Sequence, residues 1–237
     1  MLEKIVLIYG WGSNQKKWEE VKNILQKNGF DVLIFDLPGF GNTPPPKEVW
    51  GINNYSDFVL KKIKERGWES FHLLGHSFGG QIATFLAINY PQKIKKIIFC
   101  APAIIRKQNL KYKILAKIAR LGRRFLEILG LKKIVPKFQK IISKFWGSDY
   151  YQAQGIMKDI IKKVFKEDLS EFLDKIQVPT MIIWGNKDKM LPLKHGIIIK
   201  QEIPNSKLVI LENIGHSPHI ECPRKLSNEI IKFIKTH

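Results

Sequence analysis

The stretch Leu73-Leu74-Gly75-His76-Ser77-Phe78-Gly79-Gly80 constrains this chain more than any other. An apolar run at 71–74 reads as a buried strand, and an apolar-periodic segment resumes two residues after Gly80 and continues to Tyr90. A strand that turns within a few residues into a helix is the setting in which G-x-S-x-G carries chemical meaning. Gly75 and Gly79 flank Ser77 at two residues on each side, where the doubling-back backbone leaves no room for a Cβ. Ser77 is then expected in a strained turn with its hydroxyl pushed out above a sheet. The following helix aims its N-terminal N–H groups and dipole at the same spot. Such a serine is placed to attack a carbonyl.

The rest of the chain supplies a sheet for that turn. Apolar, β-branched runs at 4–9, 31–36, 95–101, 178–184 and 207–211 join the one at 71–74. Continuous apolar runs, rather than alternating ones, predict strands covered on both faces, hence a parallel α/β sheet. Helix-periodic segments fall between them at about 15–27 and 55–66, each stopped by a glycine, and an amphipathic segment spans 223–237. The interval 104–176 breaks the alternation. It is helix-periodic throughout, with Leu110, Ile114, Ile118, Leu121 and Phe125 in one series and Ile134, Phe138, Ile141, Ile142 and Phe145 in another. The expected organisation is a core first part at 1–103, a helical lid at 104–176 inserted before the last two strands, and a core second part at 177–237.

In open α/β sheets, ligands gather beyond the carboxyl ends of the strands. The loop after the fifth run carries Gly185-Asn186-Lys187-Asp188, and the loop after the sixth carries Gly215-His216-Ser217-Pro218-His219. Ser77, Asp188 and His216, each at its own strand end and in that chain order, are the expected catalytic residues. His216 would take the Ser77 proton, and Asp188 would hold the imidazole tautomer and stabilise the imidazolium. The expected oxyanion donors are the N–H groups of Phe78, directly after the serine, and of Trp11 in the loop Gly10-Trp11-Gly12. The Trp11 indole is expected to wall the acyl pocket beside Phe78. His219 is expected either to border the pocket or to support its loop, and His76 to pack away from the serine.

Read together, Tyr9-Gly10-Trp11-Gly12, Asp36-Leu37-Pro38-Gly39-Phe40-Gly41, Gly75-His76-Ser77-Phe78-Gly79-Gly80, Trp184-Gly185-Asn186-Lys187-Asp188 and Gly215-His216-Ser217-Pro218 resemble the α/β-hydrolase superfamily. Within it the loops Gly10-Trp11-Gly12 and Asp36-Leu37-Pro38-Gly39-Phe40-Gly41 look most like the carboxylesterase branch that contains the pimeloyl-acyl-carrier-protein methyl ester esterases. The resemblance reaches from the first strand to the last and implies the same triad and oxyanion donors. It also implies an α/β-hydrolase fold with a six-stranded, mostly parallel sheet. The first strand here matches the one the family counts third, so the usual N-terminal antiparallel hairpin is expected to be absent and all six strands to run parallel. Tyr9 stands where the family usually has histidine, which predicts altered loop packing rather than lost activity. A serine at the elbow argues against haloalkane dehalogenase and epoxide hydrolase chemistry, which uses aspartate there.

The expected activity is hydrolysis of carboxylic esters with small to medium acyl groups through an acyl-enzyme, without metal or organic cofactor. Lactonase or thioesterase action would use the same triad, and a non-catalytic ligand sensor is the rival of a different class. Apolar content of 44% suits a globular chain, no apolar run nears 18 residues, and no secretory leader is evident. Cys100 and Cys222 are expected as reduced thiols in a cytoplasmic protein. Residues 104–147 hold thirteen Lys and Arg against the single acid Glu127, a net +12 of the chain's +19. A lysine-rich proteome would yield such a surface without functional meaning. The functional alternative is an acidic partner, either an acyl carrier protein or an anionic membrane surface. Nucleic acid fits the charge but not the rest of the reading.

Overall fold

The computed structural model describes residues 2–105 and 153–236. Its strands are β1 (Glu3–Ile8), β2 (Phe30–Ile34), β3 (Phe71–His76), β4 (Ile94–Cys100), β5 (Thr180–Gly185) and β6 (Ser206–Leu211). They form one sheet in the order β2-β1-β3-β4-β5-β6 with every neighbouring pair parallel, as expected. All residues of β3 and β5 are buried, as apolar strands must be when both faces are covered. The chain leaves β1 for β2 on one side and returns to β3 on the other, so strand order reverses between β1 and β3. The crevice at the carboxyl ends beside that reversal is where a doubly wound sheet takes its ligand.

The helices are α1 (Glu19–Lys27), α2 (Ile52–Glu65), α3 (Phe78–Asn89), α4 (Ile156–Val164), α5 (Lys194–Glu202), the single turn α6 (Pro218–Glu221) and α7 (Pro223–Lys235). Helix α1 packs against α7, and α2 against α3. Two boundaries differ from the sequence expectation for identifiable reasons. The first helical segment opens as a 3₁₀ turn, Gln15–Trp18, whose Lys17 N–H is capped by the Asn14 side chain at 3.2 Å. Helix α2 begins three residues early because the Glu167 carboxylate accepts the Ile52 N–H at 3.1 Å, while Asn54 Oδ1 accepts that of Gly51 at 2.9 Å.

That glutamate belongs to the described tail of the interval expected as a lid. Ile160, Ile161 and Val164 of α4 are buried, and Gln81 of α3 donates to the Glu167 carbonyl at 2.9 Å. Residues 156–176 therefore pack on the core helices. The two longer apolar series at 110–145 and the whole basic run lie outside the described residues. No helix among those described is long and apolar enough to cross a membrane.

Candidate active site

The turn around Ser77 is tighter than the sequence suggests. Strand β3 continues through Gly75 to His76, and α3 starts at Phe78, so Ser77 alone makes the reversal. Its backbone has φ 50° and ψ −115°, a conformation that costs an L-residue about 1–3 kcal/mol. Neighbours enforce it: the Ser77 N–H donates to the Cys100 carbonyl at 3.1 Å, and its own carbonyl accepts from Gly80 and Ala103, both at 2.9 Å. A Cβ on Gly79 would stand 2.1 Å from the Ile8 carbonyl oxygen, and one on Gly10 would stand 2.9 Å from Ser77 Cβ. These two positions admit only glycine because β1, its loop and the elbow are in contact.

Three strand-end loops converge on the serine. His216 Nε2 lies 3.0 Å from Ser77 Oγ, and His216 Nδ1 lies 2.7 Å from Asp188 Oδ2. The Asp188 side chain is fully buried and that of His216 is 11% exposed, so the imidazole has one edge open to an incoming molecule. Asp188 Oδ1 accepts the N–H groups of Met190 at 2.8 Å and Leu191 at 2.9 Å, which fixes the carboxylate plane. The two loops are laced together as well. Lys187 N–H donates to the Ile214 carbonyl at 2.9 Å, Asn213 N–H to Asn186 Oδ1 at 2.8 Å, and the Asn186 amide meets the Glu212 carboxylate. A serine, a histidine and a buried carboxylate in one hydrogen-bonded line can pass a proton from hydroxyl to imidazole.

Beside the serine, the rings form an apolar wall. Trp11 sits edge-on to Phe40 at 4.8 Å and to Phe78 at 5.4 Å, and Tyr55 meets Phe78 at 5.2 Å. Phe78 is the first residue of α3, so its N–H has no carbonyl one turn back within the helix. Tyr9, the departure from the family pattern, is buried. Its hydroxyl donates to Asp36 Oδ1 at 2.8 Å and accepts the Leu37 N–H at 3.1 Å, tying the loop after β1 to the loop after β2. Burial, followed by the adjoining Asp36 carboxylate, pushes the Tyr9 phenol above its ordinary pKa.

Of the two other histidines weighed in the sequence, neither contacts Ser77 Oγ. His219 is buried and stacked on Trp18 with centroids 4.1 Å apart and planes 3° from parallel. Burial, then His216 and Lys17, lower its pKa to about 4. His76 does more than pack: its Nε2 lies 2.9 Å from the His216 carbonyl oxygen. Glu221 was missed altogether. Its carboxylate accepts the N–H groups of Gly215 at 2.8 Å and Ser217 at 3.1 Å, on either side of His216. An acid in the first turn of a helix that Pro218 opens was the available signal. Among the described residues, no group of His, Cys, Asp and Glu could hold a metal ion.

The α/β hydrolase fold family matches residues 4–223. The chain belongs to the α/β-hydrolase family. Among its relatives is the pimeloyl-acyl-carrier-protein methyl ester esterase of Wigglesworthia glossinidia brevipalpis, 29% identical over 98% of this chain and 93% of that one. Monoacylglycerol lipase ABHD6 of Mus musculus is 28% identical over 97% of this chain and 75% of its own length. An esterase structure from Exiguobacterium antarcticum superposes with a TM-score of 0.75 at 22% identity, covering 99% and 92% of the two chains, and shares the fold.

Proposed function

We propose that this α/β hydrolase is a serine carboxylic ester hydrolase that works through an acyl-enzyme. The observation that carries the reading is the Ser77–His216–Asp188 line, with separations of 3.0 and 2.7 Å. Ser77 Oγ attacks the ester carbonyl carbon while its proton passes to His216 Nε2. The carbonyl oxygen, now an anion, is held by the N–H groups of Phe78 and Trp11. As the tetrahedral intermediate collapses, the C–O bond to the alcohol breaks and the alkoxide takes the proton from His216. Water, deprotonated by His216, then attacks the acyl-serine and releases the acid, returning the proton to Ser77. The Trp11–Phe40–Phe78 wall supports small to medium apolar acyl groups. Two relatives that carry ester-cleaving names support the class of bond.

The net +12 of residues 104–147 is a property of the sequence and supports an acidic presenter of the ester, such as a carrier protein or anionic surface. A series of p-nitrophenyl esters of increasing chain length tests the reading. A burst of p-nitrophenol equal to the enzyme concentration, followed by steady turnover and falling off with longer acyl groups, is expected. Release that stops at one equivalent would favour a ligand sensor. Turnover confined to lactones or thioesters would move the activity to those bonds.

A further inference from the structure

His76 is a buried titratable group for which the reaction above has no use. It precedes Ser77 in the chain and is only 4% exposed. Its ring is enclosed by Trp18 at 5.5 Å, His219 at 4.8 Å and His216 at 5.1 Å. Its Nε2 lies 2.9 Å from the main-chain carbonyl oxygen of His216, across 140 residues of sequence. A carbonyl can only accept, so this nitrogen must carry the proton. The other nitrogen, Nδ1, is buried without a partner. An N–H there would be an orphaned donor in a site that water does not reach, whereas a bare lone pair costs less. The ring is therefore the neutral Nε2–H tautomer.

The consequence is geometric. The elbow follows β3, inside the sheet, and the histidine loop follows β6 at its edge, with β4 and β5 between them. Ser77 Oγ and His216 Nε2 must nevertheless meet within a few tenths of an ångström for proton transfer. His76 is covalently joined to Ser77 and hydrogen-bonded to the backbone of His216, so one rigid ring spans the two reacting residues.

We propose that His76 is a positioning residue, a strut that sets the Ser77–His216 separation through its bond to the His216 carbonyl. The inference rests on reading Ser77 and His216 as nucleophile and base. Loss of the strut is expected in kcat rather than KM, because the His76 ring is buried out of a substrate's reach.

The test compares His76→Leu, which fills the space without a donor, with His76→Gln, whose amide nitrogen reaches the place of Nε2. For the leucine variant kcat is expected to fall at least tenfold with KM unchanged, and the glutamine variant should recover most of that loss. The low-field proton resonance of His216 Nδ1–H on Asp188 provides a readout without substrate. It should broaden or shift in His76→Leu and persist in His76→Gln. Two leucine-like losses with a shared fall in thermal stability would mean that the ring merely packs, as would wild-type kcat and resonance in His76→Leu. Nitrogen-15 histidine spectra of the wild-type protein require no variant: a protonated Nδ1 on His76 would overturn the strut. Wild-type protein that turns over no ester but shows these spectral effects would instead refute the proposed activity and leave the strut standing.

Discussion

Replacing Asp188 by asparagine changes one atom and should reverse the logic of the site. In the wild type, Oδ1 accepts two backbone N–H groups at 2.8 and 2.9 Å and Oδ2 faces His216 Nδ1 at 2.7 Å. The side chain is fully buried, so no water can substitute for a misplaced group. An asparagine must keep its oxygen toward the Met190 and Leu191 amides, since turning its NH₂ there would set donors against donors. Its NH₂ then faces His216 and obliges Nδ1 to accept. The imidazole proton moves to Nε2, the atom that must receive the Ser77 proton. The structure is undisturbed while the base is in the wrong tautomer. In serine triads that change costs on the order of 10⁴ in kcat, which is about 5.5 kcal/mol of transition-state stabilisation. The assay is steady-state hydrolysis of the best p-nitrophenyl ester, with thermal denaturation as a control. KM and Tm should hardly move. An Asp188→Asn enzyme within about tenfold of wild-type kcat would show that another group orients His216, and the assignment of Asp188 would be abandoned.

Further outcomes follow from other parts of the molecule. Tyr9→Phe leaves the buried Leu37 N–H without its acceptor and should cost about 1–3 kcal/mol by urea denaturation, with ester turnover largely retained. His219 has a folded pKa near 4 against 6.5 for its ordinary value, so between those pH values the unfolded chain binds the additional proton. Stability contributed by the neutral, stacked ring is therefore complete above about pH 6.5 and lost as pH falls towards 4, by about 3 kcal/mol in all. His219→Phe should flatten that part of the Tm–pH curve, and an unchanged slope would assign it to other groups. If an acidic carrier or surface presents the substrate, turnover of the presented ester should fall steeply with added salt, because screening shortens the Debye length to about 8 Å at physiological strength. Hydrolysis of a small neutral ester should stay constant, and equal indifference of both would leave the basic run without a steering role.

Much of the core could be read from sequence because its signals are local. Each β strand is an apolar run, and Ser77, Asp188 and His216 each stand just past one of them. Where local signals conflict with long-range ones, the structure departs from the reading. Gly75 looks like a strand end, yet β3 runs through it because β1 and β4 pair with it on both sides, at Ile8 and Phe99. Helix α5 was not anticipated. Gly196 lies within it, packed closely on Trp184, and Ile197 and Ile198 are exposed, so its sequence lacks a clean apolar face. The early start of α2 depends on Glu167, more than a hundred residues away. The same holds for His76, whose partner is a backbone carbonyl that no side-chain pattern encodes. Trp18, in the 3₁₀ turn ahead of α1, likewise stacks on His219 and joins two elements from opposite ends of the chain.

The central claim is that Ser77 is an activated nucleophile, and a fluorophosphonate measures this directly. Such a reagent reacts with a serine whose proton is being withdrawn and is inert towards ordinary surface hydroxyls. The protein should gain one label per chain, and peptide mapping should place it on Ser77. Ser77→Ala should take up none while unfolding at a temperature close to that of the wild type. Asp188→Asn should label far more slowly. A label on any other residue, or a wild-type protein that stays unmodified when folded, would contradict the account.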